Sequence, residues 1–220
     1  MPTIRKPQQT PGPAVTEGER DYDFTLPAAL YYDSVYFFVQ AEAGERNGDI
    51  YATDRFTRAS VLAAFAFLEA TLNQAAVAHA EAHSSRLPQF ELDVLEQKET
   101  VLEPSGQVLR KTRYYPFESR FLFIVQFLSG KEFDRGSSLW PRLKEARKIR
   151  DTWTHPKPPF DTWSLNLSDA RNVVETIRDV LLDIDRLMGL ERQPWLVSVE
   201  DAMAALSTRS DFSVRSTFLP

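Results

Sequence analysis

From Phe56 to about Ala82 the sequence runs without a single glycine or proline and is rich in alanine. A stretch of this kind has one economical conformation, a continuous helix about 40 Å long at 1.5 Å per residue. Thr53 or Asp54 can cap its start by accepting hydrogen bonds from the first free backbone N–H groups. Phe56, Leu62, Phe65, Leu68 and Leu72 mark an apolar side. A rod with such a side must be covered, and its many alanines let neighbouring helices approach closely. The expectation is therefore a central position in a helical bundle, and the remaining segments supply the neighbours.

Residues 1–20 carry Pro2, Pro7, Pro11 and Pro13 among Gln and Thr, too little apolar surface to order a segment, and read as a disordered tail. Leu26 to Ala43 reads as the first helix, closed by Gly44, Asn47 and Gly48. Residues 86–115 break the helical pattern. A short helix from Leu87 to Gln97 and a small hairpin from Thr100 to Leu109, turning at Glu103 to Gln107, form an insertion, with a plain loop as the alternative. Pro116 to Ser129 is a buried helix, with Pro116 suited to the first turn and Gly130 to the end. The next helix begins near Trp140 and Pro141, with Leu143, Ala146, Ile149 and Trp153 on its core side, and Pro156, Pro158 and Pro159 forbid its continuation. Ser168 caps a long amphipathic helix to Met188, stopped by Gly189. Ser198 to Leu206 is a further short helix, and the polar segment after it a mobile end. The expected fold is all-α: an up-and-down helical bundle over residues 21–190, with the insertion at about 86–115 and an extension over 191–220.

The chain has no cysteine, which removes disulfides, thiolate metal sites and cysteine nucleophiles. The first twenty residues lack the apolar core of a signal peptide, and no run of eighteen or more apolar residues occurs, so a cytoplasmic protein without a membrane span is expected. Formal net charge is −5, yet the window from Arg142 to Lys157 is locally +4, with Arg147, Lys148, Arg150 and Lys157 in it. An acidic protein with one basic stretch can use it against nucleic acid; the plain alternative is a solvated helix face.

Arg150-Asp151-Thr152-Trp153-Thr154-His155 lies in that window, an Arg-x4-His pattern followed by proline. His155 carries the one side chain that serves as acid and base near neutrality. Arg150 is permanently charged and can grip a phosphate with two parallel hydrogen bonds. Asp151, four residues before His155, shares its helix face and can orient the imidazole. Arg150 and His155 point about 140° apart on an ideal helix, so they meet at one phosphate only if the last turn loosens or a second copy contributes. The alternative for these residues is a histidine closing a helix end and an arginine paired with Glu145, Glu118 or another carboxylate. Earlier, Phe67-Leu-Glu-Ala-Thr-Leu-Asn73 places Glu69 and Asn73 on one face, where they can support Arg150 or His155 across the bundle or form a plain polar stripe.

With these two segments the sequence resembles the HEPN family of helical domains, whose signature is an Arg, often followed by a polar residue, with a His four to six positions on. The resemblance covers about Leu26 to Met188 and looks closer to stand-alone prokaryotic members. It implies a metal-independent endoribonuclease of a toxin or defence type, with Arg150 and His155 catalytic and Asp151, Glu69 and Asn73 in support. Arg147, Lys148 and Lys157 would contact RNA. It further implies a homodimer whose two copies line one cleft, no cofactor, and an antitoxin or defence-system partner. Other members only bind, so a non-catalytic module for RNA, nucleotide or protein is the alternative. The chain departs from some toxins of the family in having Lys157 where they carry a modifiable tyrosine.

His79 and His83 have metal-ligand spacing, but Ala80 stands where the metalloprotease pattern needs Glu, and a polar helix face is the plainer reading. Arg110, Lys111 and Arg113 beside Tyr114 and Tyr115 can stack on single-stranded RNA or form a surface strand.

Overall fold

The computed structural model describes residues 25–154, 166–191 and 193–208. Among these it contains seven α-helices and one β-hairpin, a mostly all-α fold. In chain order they are α1 (Leu26–Arg46), α2 (Ile50–His83), α3 (Gln89–Leu95), β1 (Lys98–Leu102), β2 (Val108–Thr112), α4 (Phe117–Ser129), α5 (Leu139–Thr154), α6 (Leu167–Met188) and α7 (Val199–Thr208).

α1 buries Ala28, Tyr31, Ser34, Val35, Phe38 and Ala41, a stripe at three- and four-residue spacing, with Pro27 in its first turn. Gly48, at φ +70°, reverses the chain. α2 therefore starts earlier than expected. Asp49 is the cap, its Oδ1 accepting from the Ala52 N–H at 2.9 Å, not Thr53 or Asp54. Thr53 instead donates to the Asp49 carbonyl, and Asp54 pairs with Arg58. The extra turn carries Ile50 and Tyr51 on solvent, 78% and 88% exposed, so no apolar periodicity betrays it.

α2 is the hub, packing on α1, α3, α4, α5 and α6. Its buried line runs Thr57, Val61, Ala64, Phe65, Leu68, Leu72, Ala76 and Ala80. Leu62, expected on the core side, is exposed because it lies one residue, about 100°, past Val61. One window of α2 is long and apolar enough to cross a membrane by length and composition, although no unbroken apolar run occurs in it. Here those apolar side chains meet five other helices.

The insertion is a helix and a hairpin. β1 and β2 pair antiparallel from Lys98↔Thr112 to Leu102↔Val108, with Gly106 at φ +82° in the turn. Arg120 of α4 ties it down, donating to the carbonyls of Leu95 and Val94 at the end of α3. α4 stops at Gly130 in the left-handed conformation. Its Phe121 packs on Phe133 and Trp140, which delivers the start of α5 to the core. α6 is capped by Asn166, one residue outside the helix, in a reciprocal box with Asp169, rather than by Ser168. Ser168 donates to the Asn166 carboxamide instead.

Residues beyond α6 join the same core. Leu196, Val199 and Ala202 are almost completely buried. Tyr31 Oη donates to the Val197 carbonyl at 2.7 Å, and the Trp195 ring rests on Tyr31 and Phe67.

Candidate functional site

α5 carries its charge on the side away from Trp140, Leu143 and Ala146. Arg150 lies in its last turns against the middle of α2. Arg150 Nη1 donates to Glu69 Oε1 at 3.3 Å, and the guanidinium carbon lies 5.0 Å from the centre of the Phe65 ring. Phe65, Glu69 and Asn73 follow one another at four-residue spacing, so a single stripe of α2 supplies both the carboxylate and the aromatic face. Arg150 Nε lies 2.9 Å from Asp151 Oδ1 but is not aimed at it, and this buried N–H has no hydrogen-bond partner among the described residues. The Arg150 side chain is 20% exposed.

Asp151 serves two arginines. Oδ1 faces Arg150, while Oδ2 accepts from Arg147 Nε at 3.2 Å. Arg147 also donates to Glu118 Oε1 at 3.0 Å and lies over the Phe117 ring. The Glu118 offered by the sequence as a partner for Arg150 thus belongs to Arg147, one turn earlier. Trp153 stacks on Arg58 of α2 at 5.2 Å. His155 and Lys157 lie outside the described residues, as do Pro156, Pro158 and Pro159.

The basic window is largely compensated by carboxylates from elsewhere. Arg142 pairs with Asp179, Arg147 with Glu118 and Asp151, and Arg150 with Glu69. Lys148, 73% exposed, lies 3.6 Å from Glu145, and Lys144, also exposed, has only the Trp140 ring near it among the described residues, so these two lysines remain the solvent-facing cations of the set. The local excess of positive charge counted along the sequence is therefore smaller in space.

Glu69 reaches α5, whereas Asn73 makes no bond to it among the described residues, and its Oδ1 is buried without any hydrogen-bond partner. Both side chains line an open groove of about 700 Å³ between the start of α1 and α2. Arg120 stands on the other side of Glu69: burial pulls its pKa below the usual arginine range, and the Glu69 carboxylate opposes that shift. From the sequence Phe65 reads only as an apolar position of its helix, and Arg58 and Arg120 carry no reading. The four-residue step back from Glu69 signals Phe65; nothing in the sequence signals the other two.

The remaining candidates are self-contained. His79 and His83 stack at 4.2 Å between ring centres, His83 Nδ1 lies 3.0 Å from the His79 carbonyl, and His79 packs edge-on to Phe127. Burial, and then the neighbouring His83, lower the pKa of His79. Among the described residues no group of three or more metal-binding side chains converges. Arg110, Lys111 and Arg113 on β2 and just after it pair with Asp93 and Glu96, with Glu103 and with Glu99; Arg113 also covers Tyr115.

Chemically, the cluster offers a braced guanidinium, a carboxylate shared between helices and an adjoining groove with an unmet acceptor. Against known proteins the chain matches no family model, no curated protein and no solved structure.

Proposed function

We propose that the chain is a metal-independent endoribonuclease of HEPN type, acting in the cytoplasm as a homodimer of the toxin or defence kind. The observation that carries this reading is the Glu69–Arg150 ion pair. It joins the two segments on which the family resemblance rests, and the carboxylate that braces the arginine also borders an open groove. In the reaction a ribose 2′-hydroxyl attacks the neighbouring phosphorus, a base takes its proton, and the departing 5′-oxygen gains one. His155 moves the proton, and Arg150 stabilises the charge gathering on the phosphate oxygens. The partner copy supplies the second arginine and histidine of the cleft, and an antitoxin or defence-system protein holds the activity in check.

A second reading is a non-catalytic helical module that binds RNA, a nucleotide or a protein. It is favoured by the same arginine, which already has Glu69, Asp151 and Phe65 around it. Purified wild type, Arg150→Ala and His155→Ala, incubated with RNA in EDTA, separate the two. The nuclease reading expects cleavage by wild type and a loss of at least a hundredfold in each variant. Equal cleavage by all three overturns it. RNA binding without cleavage by any of them selects the second reading.

A further inference from the structure

Asn73 poses a problem that the cluster around Arg150 does not solve. Its Oδ1 is buried and accepts no hydrogen bond among the described residues, although the residue itself borders a groove open to solvent. A buried acceptor without a donor is an unfavourable arrangement that a ligand N–H would relieve. Rotation about the last bond of an Asn side chain is soft, so the oxygen can swing into the groove without moving the helix. Four residues earlier, on the same face, Glu69 adds a carboxylate, which when ionised only accepts. Leu26, Pro27 and Leu30 of α1 supply an apolar wall, and Leu26 is 66% exposed at the rim.

A flat apolar wall facing two acceptors is complementary to a planar ring with two neighbouring N–H donors. Of the four RNA bases only guanine has that edge, through N1–H and its exocyclic amine. Adenine, cytosine and uracil each set an acceptor beside their donor, which a carboxylate repels. Single-stranded RNA is read in this way, by covering the base face and bonding its edge. Glu69 also holds Arg150, so the groove and the guanidinium share one carboxylate. We infer that the groove between α1 and α2 is a guanine-selective subsite, with Asn73 and Glu69 accepting from the base edge. This deepens the RNA reading of the site and rests on it.

The test measures binding, so it does not depend on cleavage. The four ribonucleoside 3′-monophosphates are titrated into the full chain by calorimetry. The guanine nucleotide is expected to bind at least tenfold more tightly than the other three. Asn73→Leu should erase that preference, while Asn73→Asp, which keeps an acceptor in place, should retain it. Circular dichroism shows whether each variant is folded; if Asn73→Leu is not, wild type and Asn73→Asp still decide. Equal affinity for all four nucleotides, or a preference that survives Asn73→Leu, overturns the subsite even if the protein cleaves RNA. Selective, Asn73-dependent binding by a protein that cleaves nothing supports the subsite and rejects the nuclease reading.

Discussion

Two polar seams lie along α2, and they are built to opposite standards. The first, toward α1, holds Ser34, Thr57 and Ser60, all with no exposed surface. Each hydroxyl donates to a carbonyl: Ser60 to Ser34, Ser34 to Tyr31, and Thr57 to Thr53. Beside them Gly44 lets the backbones touch, since an added Cβ would come within 2.8 Å of the Thr53 nitrogen. The second holds Glu69, Arg150 and Asp151 toward α5, and Asn73 at the groove beside α1. It is partly wet, carries full charges and, among the described residues, leaves two buried atoms unsatisfied, Asn73 Oδ1 and Arg150 Nε. A seam in which every polar group is answered from within is an element of architecture. One with charge and unmet valence at the edge of a groove is where a ligand has something to complete.

If that division is right, substitutions in the two seams will show in different measurements. The largest effect is expected from Glu69→Ala, which should lower RNA cleavage about a hundredfold by letting Arg150 drift. Thermal unfolding should report at most about 1 kcal/mol lost, because the pair is partly solvent-exposed. A large loss of stability with unchanged cleavage would reverse the assignment. Gly44→Ala comes next. It gains about 1 kcal/mol in helix propensity, but the new methyl meets both the backbone and the hydroxyl of Thr53, and overpacking costs about 1–3 kcal/mol. Urea titration should show a net loss of up to about 2 kcal/mol, with cleavage per folded molecule unchanged. Ser60→Ala removes one buried donor and should cost about 1 kcal/mol by the same measurement. The smallest change belongs to Glu118→Gln, which loosens Arg147 at the surface. Less than about 0.5 kcal/mol is expected, shrinking further in high salt. More than twice that would show that the charged end of α5 is also architecture.

Helix positions were readable wherever one pattern dominated. α6 repeats its apolar residues without interruption, and Gly189 stops it as expected. α4 is bracketed by Pro116 and Gly130, and the hairpin was announced by the turn at Glu103 to Gln107. The start of α2 was hidden because Ile50 and Tyr51 face solvent, and Asp49 looked like loop behind Gly48. Asn166 and Ser168 both have capping side chains, and the expected cap, Ser168, lies two residues past the actual one, Asn166. At the site, spacing put Glu69 and Asn73 on one face but could not say that only Glu69 reaches α5. Nor could it see that Glu118 goes to Arg147, since two arginines one turn apart compete for one carboxylate. Arg58 and Arg120 were invisible because their partners, Trp153 and the end of α3, are remote in sequence.

The clasp between Tyr31 and the Val197 carbonyl joins groups 166 residues apart. α1 and α2 leave the ribosome early, yet Trp195, Leu196, Val199 and Ala202, which cover one flank of them, emerge only near the close of this stretch of chain. A polypeptide stalled short of residue 197 has its longest helix made and its lid missing, with Tyr31 and Phe67 in water. Completion of the hydrophobic interior, and any activity that needs a firm α2, thereby waits for the synthesis of the segment from Trp195 to Ala202.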